Sequence, residues 1–161
     1  MLKKPSQPEM LIGGDYNLSA PLKAEKANTV VYTRETFEVF PDLIVTDLSF
    51  RHNKRISDAN PQQKEFNWGT AEIYKWTSLD GREMEGMLFK PEDFDPSKKY
   101  PMIVTFFHKS SGELHFHRIP EYHRSRIDYH TYTSNGYLIF NPDIWFDPGY
   151  IGESAYKSVM P

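Results

Sequence analysis

A chain of 161 residues and 18.9 kDa has the length of one domain. With 39% apolar and 15% aromatic residues it can pack a core and is not a disordered tail, and its 12 Pro argue against a helical bundle. The 19 Lys and Arg against 22 Asp and Glu give a formal net charge of −3, without the basic excess that phosphate neutralisation requires, so no nucleic-acid partner is expected.

Residues 1–28 read as loop, punctuated by Pro5, Pro8, Gly13-Gly14 and Pro21, with one short strand near Met10–Ile12. The basic start at Lys3-Lys4 is not followed by the apolar stretch of about 7–15 residues that completes a signal peptide. Thr29–Arg34 is β-branched and aromatic, Leu43–Leu48 repeats that character, and the two are expected to pair as a hairpin across Phe40-Pro41-Asp42. Residues 51–65 are polar and carry the turn signal Asn60-Pro61.

Ala71–Thr77 alternates, with Ala71, Ile73, Lys75 and Thr77 on one face and Glu72, Tyr74 and Trp76 on the other. Asp80-Gly81 suits a tight hairpin turn, with Glu83–Phe89 as the returning strand. Tyr100–Phe107 and Gly136–Asn141 are continuous apolar runs, as expected of strands buried on both faces. The roughly 28 residues between them leave room for a crossover helix of ~10 residues. Arg124–Ser134 fits that helix, ended by a left-handed residue at Asn135-Gly136. Two apolar strands joined in this way predict a parallel or mixed sheet and an α/β, β-rich fold.

The absence of cysteine excludes disulfides, thiolate zinc sites and a cysteine nucleophile. No run reaches the roughly 18 apolar residues of a membrane span. Gly152-Glu-Ser154-Ala-Tyr156 begins like a Gly-x-Ser-x-Gly nucleophile elbow, but no buried strand leads into it and Tyr156 fills the second glycine position. Ser154 is therefore read as part of a turn entering a helix. Five of six histidines, His108, His115, His117, His123 and His130, fall within 23 residues. His115 and His117 have the spacing of two metal ligands on one side of a strand, with Glu113, His108 or His123 as a third. Arg118, Arg124 and Arg126 nearby disfavour a cation, so no metal is assigned and the loop is read as solvated or partner-facing. Glu83 and Glu85 share a strand face and are read as solvated. Trp68, Trp76 and Trp145 are read as packing residues, with a ligand platform as the other reading.

The order of segments is more informative than any one motif. Phe66–Pro91, Asp93-Phe-Asp-Pro-Ser-Lys-Lys-Tyr-Pro-Met-Ile-Val104, Ser134–Ile144 and Gly149–Tyr156 run collinear with the entry into the catalytic domain of the prolyl oligopeptidase family of serine peptidases, which the chain resembles. Val30–Arg34, Pro41–Leu43 and Ile56–Gln62 are similar to the last β-propeller blade before that domain, so the resemblance covers residues 28–161. It implies a dipeptidyl-peptidase-like fragment. Residues 1–65 would end a β-propeller-like region with its linker, and 66–161 would begin an α/β-hydrolase domain, incomplete at its C-terminal side. Nucleophile, acid and base are expected beyond Pro161, leaving no catalytic residue in this chain, which alone should be inactive. The oxyanion-binding position of the family, commonly a Tyr, falls on Phe107, followed by His108. Phe lacks the hydroxyl, and losing one oxyanion donor costs ~2.7–4 kcal/mol unless His108 substitutes. The resemblance implies a peptide substrate for a longer protein, periplasmic or secreted, with no cofactor, no metal, and self-association through unpaired strand edges. The alternative is a non-catalytic binding module using Trp68, Trp76 and Trp145 and the His/Arg-rich loop 108–126.

Overall fold

The computed structural model describes residues 8–121 and 125–160. Its first sheet contains β1 (Asn17–Leu18), β2 (Leu22–Lys23), β3 (Thr29–Glu35), β4 (Asp42–Asp47) and β5 (Lys54–Arg55), all antiparallel. The expected hairpin is its centre, with Val30 opposite Thr46 and Tyr32 opposite Ile44. These four residues are buried, because the two-residue period of each strand puts them on one face. The strand expected near Met10–Ile12 is absent. Met10 and Leu11 are exposed, and the edge of β3 is taken by Asn17–Leu18 and Leu22–Lys23. The polar segment 51–65 is more ordered than its turn signal implied. Lys54–Arg55 pairs with β4, and Pro61–Glu65 forms a 3₁₀ turn after left-handed Asn60.

The second sheet comprises β6 (Thr70–Thr77), β7 (Glu83–Lys90), β8 (Met102–Val104) and β9 (Leu138–Pro142) in the order β6-β7-β9-β8. β8 and β9 are parallel and the other pairs antiparallel, so the sheet is mixed and the fold is α/β and β-rich. The β6–β7 hairpin closes through residues 78–82, a longer loop than the expected tight turn. Ser78 N–H bonds Arg82 O, Arg82 N–H bonds Ser78 Oγ, and only Gly81 takes positive φ.

The crossover helix is α1 (Tyr129–Ser134), shorter than the expected 124–134. It starts late because Asp128 caps it, accepting Thr131 N–H at 3.0 Å, and Arg124 lies outside the described residues. Gly136 supplies the left-handed residue after its end. Beneath α1, Met87, Phe89 and Ile139 form the core, joined by Phe37 from the β3–β4 connection. Tyr129 stacks on Phe89 at 4.3 Å.

The other face of the sheet is only partly covered. α2 (Ile151–Val159) reaches the β6 end, where Trp76 Nε1–H bonds Ser158 O and Leu79 N–H bonds Lys157 O. This corrects the expectation that residues 100–107 form a strand buried on both faces. Only Met102–Val104 is strand, and Met102 and Val104 are nearly half exposed. β8 is the outermost strand, and Ile103 alone packs on the core. Among the described residues no helix is long and apolar enough to cross a membrane.

Candidate functional site

The carboxyl ends of the parallel strands β8 and β9 open onto two loops, and ligands of open α/β sheets collect at such ends. Thr105 N–H extends the ladder to Phe140 O, after which the chain leaves the sheet at Phe106. Phe107 is 81% exposed, and His108 is exposed with Nδ1 2.6 Å from Lys109 O. The loop is then pinned. Ser110 and Ser111 donate their backbone N–H groups to Asp143 Oδ1 at 2.7 and 2.9 Å, and Ser111 Oγ donates to Asp143 Oδ2 at 2.7 Å. Asp143 is 2% exposed, so these bonds are what makes its burial tolerable. Asn141 joins the same network, accepting from Ser110 Oγ at 3.1 Å and donating to Tyr129 Oη at 3.1 Å.

Lys109 Nζ sits 4.0 Å above the Trp145 ring, a cation–π contact linking the loops that follow β8 and β9. A cleft of about 760 Å³ lies against Phe106, Phe107, His108, Glu113 and Arg118. On its wall Arg118 pairs with Glu113 at 2.8 Å and lies over the Tyr129 ring. Among the described residues nothing accepts the backbone N–H groups of Phe107 and His108. Both residues line the cleft, on a loop whose far end is fixed.

The histidine cluster disperses. Residues 114–121 are loop and not strand, so no strand alternation sets His115 and His117 on a common side. His117 instead lies against Trp68, His130 is buried within α1, and His123 lies outside the described residues. Among the described residues no three His, Asp or Glu side chains converge as metal ligands.

Ser154 is buried within α2, its hydroxyl donating to Tyr150 O at 2.8 Å and accepting Asp147 N–H at 3.0 Å. Trp68 and Trp76 donate their indole N–H groups to Phe37 O and Ser158 O, while Trp145 is about half exposed, so the three form no common platform. Glu83 and Glu85 are both exposed, and Glu85 Oε1 lies 3.1 Å from Ser111 Oγ, whose one proton goes to Asp143 at the shorter distance. Asp143, Asn141, Ser110 and Ser111 escaped the sequence reading. Their only signal was a polar Asn-Pro-Asp at the end of an apolar run.

No protein-family model and no curated protein matches this chain. Solved structures do. It is similar to the acylaminoacyl peptidase of Pyrococcus horikoshii (TM-score 0.60, 18% identity, covering 92% of this chain and 22% of that one). It is similar also to Porphyromonas gingivalis dipeptidyl peptidase 4 (0.58, 19%, 83% and 19%). A third is an acylaminoacyl peptidase in complex with Z-Gly-Gly-Phe-chloromethyl ketone (0.58, 19%, 89% and 21%). At these identities the likeness is one of fold, and the chain spans about a fifth of the length of the structures it matches.

Proposed function

We propose that this chain is a segment of a serine peptidase of the prolyl oligopeptidase type. In this reading residues 1–65 close a β-propeller-like region and its linker, and residues 66–161 begin the α/β-hydrolase domain. One observation carries it: the loop after β8 stands at the carboxyl end of a parallel strand pair, fixed by buried Asp143, with the N–H groups of Phe107 and His108 unbonded. The fold shared with acylaminoacyl and dipeptidyl peptidases supports it.

The reaction of the complete protein is acyl transfer from a peptide to a serine, followed by hydrolysis, with a His–acid pair activating the nucleophile. Those three groups come from outside these residues. The loop contributes donors to the oxyanion, where charge develops in the transition state. Phe107 has no hydroxyl and the neutral His108 ring spends its one N–H on Lys109 O, so the donors are backbone N–H groups. A peptide substrate lies along the cleft beside them, and the isolated 161-residue chain is catalytically silent.

Fluorophosphonate labelling of the purified chain, and of the native gene product captured from cells, tests this reading. The expected result is an unlabelled 161-residue chain and one modified serine downstream of residue 161 in the native product. Labelling at Ser154, or a native product with no reactive downstream serine, overturns it.

A further inference from the structure

The two sheets meet at the β3–β4 connection. Phe37, 3% exposed, leaves the first sheet to join the core of the second, 5.1 Å from Phe89. Trp68 Nε1–H bonds Phe37 O at 2.7 Å, and His130 stacks on the Phe37 ring at 4.8 Å and 18°. Trp68 touches both imidazoles, His130 at 3.9 Å and His117 in a parallel stack at 5.1 Å and 6°. His117 also meets Phe40 in a T-shaped contact at 5.0 Å. The crossover loop, the linker before β6 and the β3–β4 connection are thus clasped by two histidines.

Their hydrogen bonding differs. His130 Nδ1 lies 3.0 Å from Trp68 O and Nε2 2.8 Å from Arg118 O, so an added proton meets an acceptor on either side. Among the described residues His117 has both ring nitrogens buried and no well-aligned hydrogen bond to either, with only the backbone of Thr36 and Phe37 near enough to favour its proton. A neutral ring is poorly bonded there, and an imidazolium adds a buried charge that the backbone of Thr36 and Phe37 and the Glu35 carboxylate offset only in part.

We propose that His117 is a proton-operated latch between the two sheets: on acidification its ring leaves the slot between Trp68 and Phe40 and frees the β3–β4 connection. The inference does not depend on the peptidase reading. Burial pushes the His117 imidazole below its ordinary range and nearby His130 pushes it the same way, against the backbone of Thr36 and Phe37 and the Glu35 carboxylate. Glu65, from the 3₁₀ turn, lines the groove beside the ring. Asp128 and Arg118 act on His130 in opposite directions. A ring that binds its proton more weakly in the closed form opens as protons are added.

The test is NMR of the 161-residue chain from pH 7.5 to 4.5, following the His117 and His130 rings and the exchange protection of the Trp68 indole N–H. Below pH 6.5, the ordinary histidine value, Trp68 protection should fall about tenfold per pH unit, the slope for one proton. The Trp76 indole N–H, bonded to Ser158 O on the other face, should hold within about twofold. His117→Phe, which keeps an aromatic ring in the slot but cannot charge, should abolish the slope, and His52→Gln on the exposed first sheet should leave it intact. An unchanged slope in His117→Phe, Trp68 and Trp76 falling together, protection that stays flat or rises, or His117 titrating at or above 6.5 each overturns the proposal. The wild-type titration decides even if the variant does not fold.

Discussion

Asp143 and Ser111 share two hydrogen bonds, Ser111 N–H to Oδ1 at 2.9 Å and Ser111 Oγ to Oδ2 at 2.7 Å. That one pair ties the chain leaving β9 to the chain leaving β8. With Ser110 N–H also on Oδ1, Asp143→Ala strands two backbone donors in a site that is 2% exposed on the aspartate side. Urea unfolding should show a loss of about 3 kcal/mol, with Asp143→Asn losing less because its amide oxygen still accepts. A change under ~0.5 kcal/mol in Asp143→Ala would mean the loop is held by other contacts.

Gly86 on β7 lies against the backbone of β9. A Cβ there would stand 2.7 Å from Pro142 Cα and 2.8 Å from Asn141 O, and neither neighbour can retreat without disturbing the β7–β9 pairing. Gly86→Ala should therefore destabilise by ~2 kcal/mol or more. Gly112→Ala, whose Cβ meets nothing within 4 Å, should stay within ~0.5 kcal/mol in the same thermal melts. Equal melting temperatures for the two variants would contradict this packing.

Stability should fall with acid in two separate windows. Burial holds the His117 and His130 imidazoles below their ordinary 6.5, with backbone acceptors opposing. Their unfolded rings take up protons first, so this stabilisation is complete above pH 6.5 and declines below it. Asp42 behaves differently. Burial raises its carboxyl, but the Ser57 hydroxyl, Ala59 N–H and Arg55 outweigh burial and hold it below 3.8. Its contribution persists through the first window and is lost only as the pH falls through the carboxylate range. Denaturant midpoints at pH 7.5, 5.5 and 2.5 should decline in both intervals, and His117→Phe should reduce the first decline without removing it, because His130 remains. A midpoint that rises from pH 7.5 to 5.5 would reverse the sign assigned to the histidines.

The free edge of β8 should mediate association. Pro101 O and Thr105 N–H turn toward β9, so strand alternation turns the backbone groups of Met102 and Val104 outward, beside side chains that are nearly half exposed. Sedimentation velocity should show concentration-dependent oligomers that Val104→Lys reduces severalfold. A chain monomeric at all concentrations, or oligomers indifferent to that substitution, would assign the edge no such role.

Much of the scaffold was legible before any coordinates. The β3–β4 hairpin, the β6–β7 hairpin and the β8–β9 crossover all follow from β-branched runs separated by turn residues, because strand periodicity is a local property. Element ends were less legible. Helix α1 starts at Tyr129 because Asp128 caps it, and β8 stops at Val104 because only its inward residue finds a core. The site was read only in part. Phe107 and His108 do lie on the loop at the carboxyl end of β8, yet Asp143, which anchors that loop, is 32 positions away from its Ser111 partner. No spacing rule relates residues so far apart.

The sequence by itself determined the class of the fold, the order of its strands along the chain and the exclusion of cysteine chemistry, since these depend on composition and on neighbours a few positions apart. The tertiary structure alone decided that, among the described residues, the clustered histidines form no metal site, with His117 and His130 both against Trp68 and His108 on the cleft. It also decided that Phe37 belongs to the core of the other sheet. The reason is physical: a side chain's partners are chosen by which surfaces meet when the sheets pack, and residues adjacent in sequence can be turned toward different surfaces.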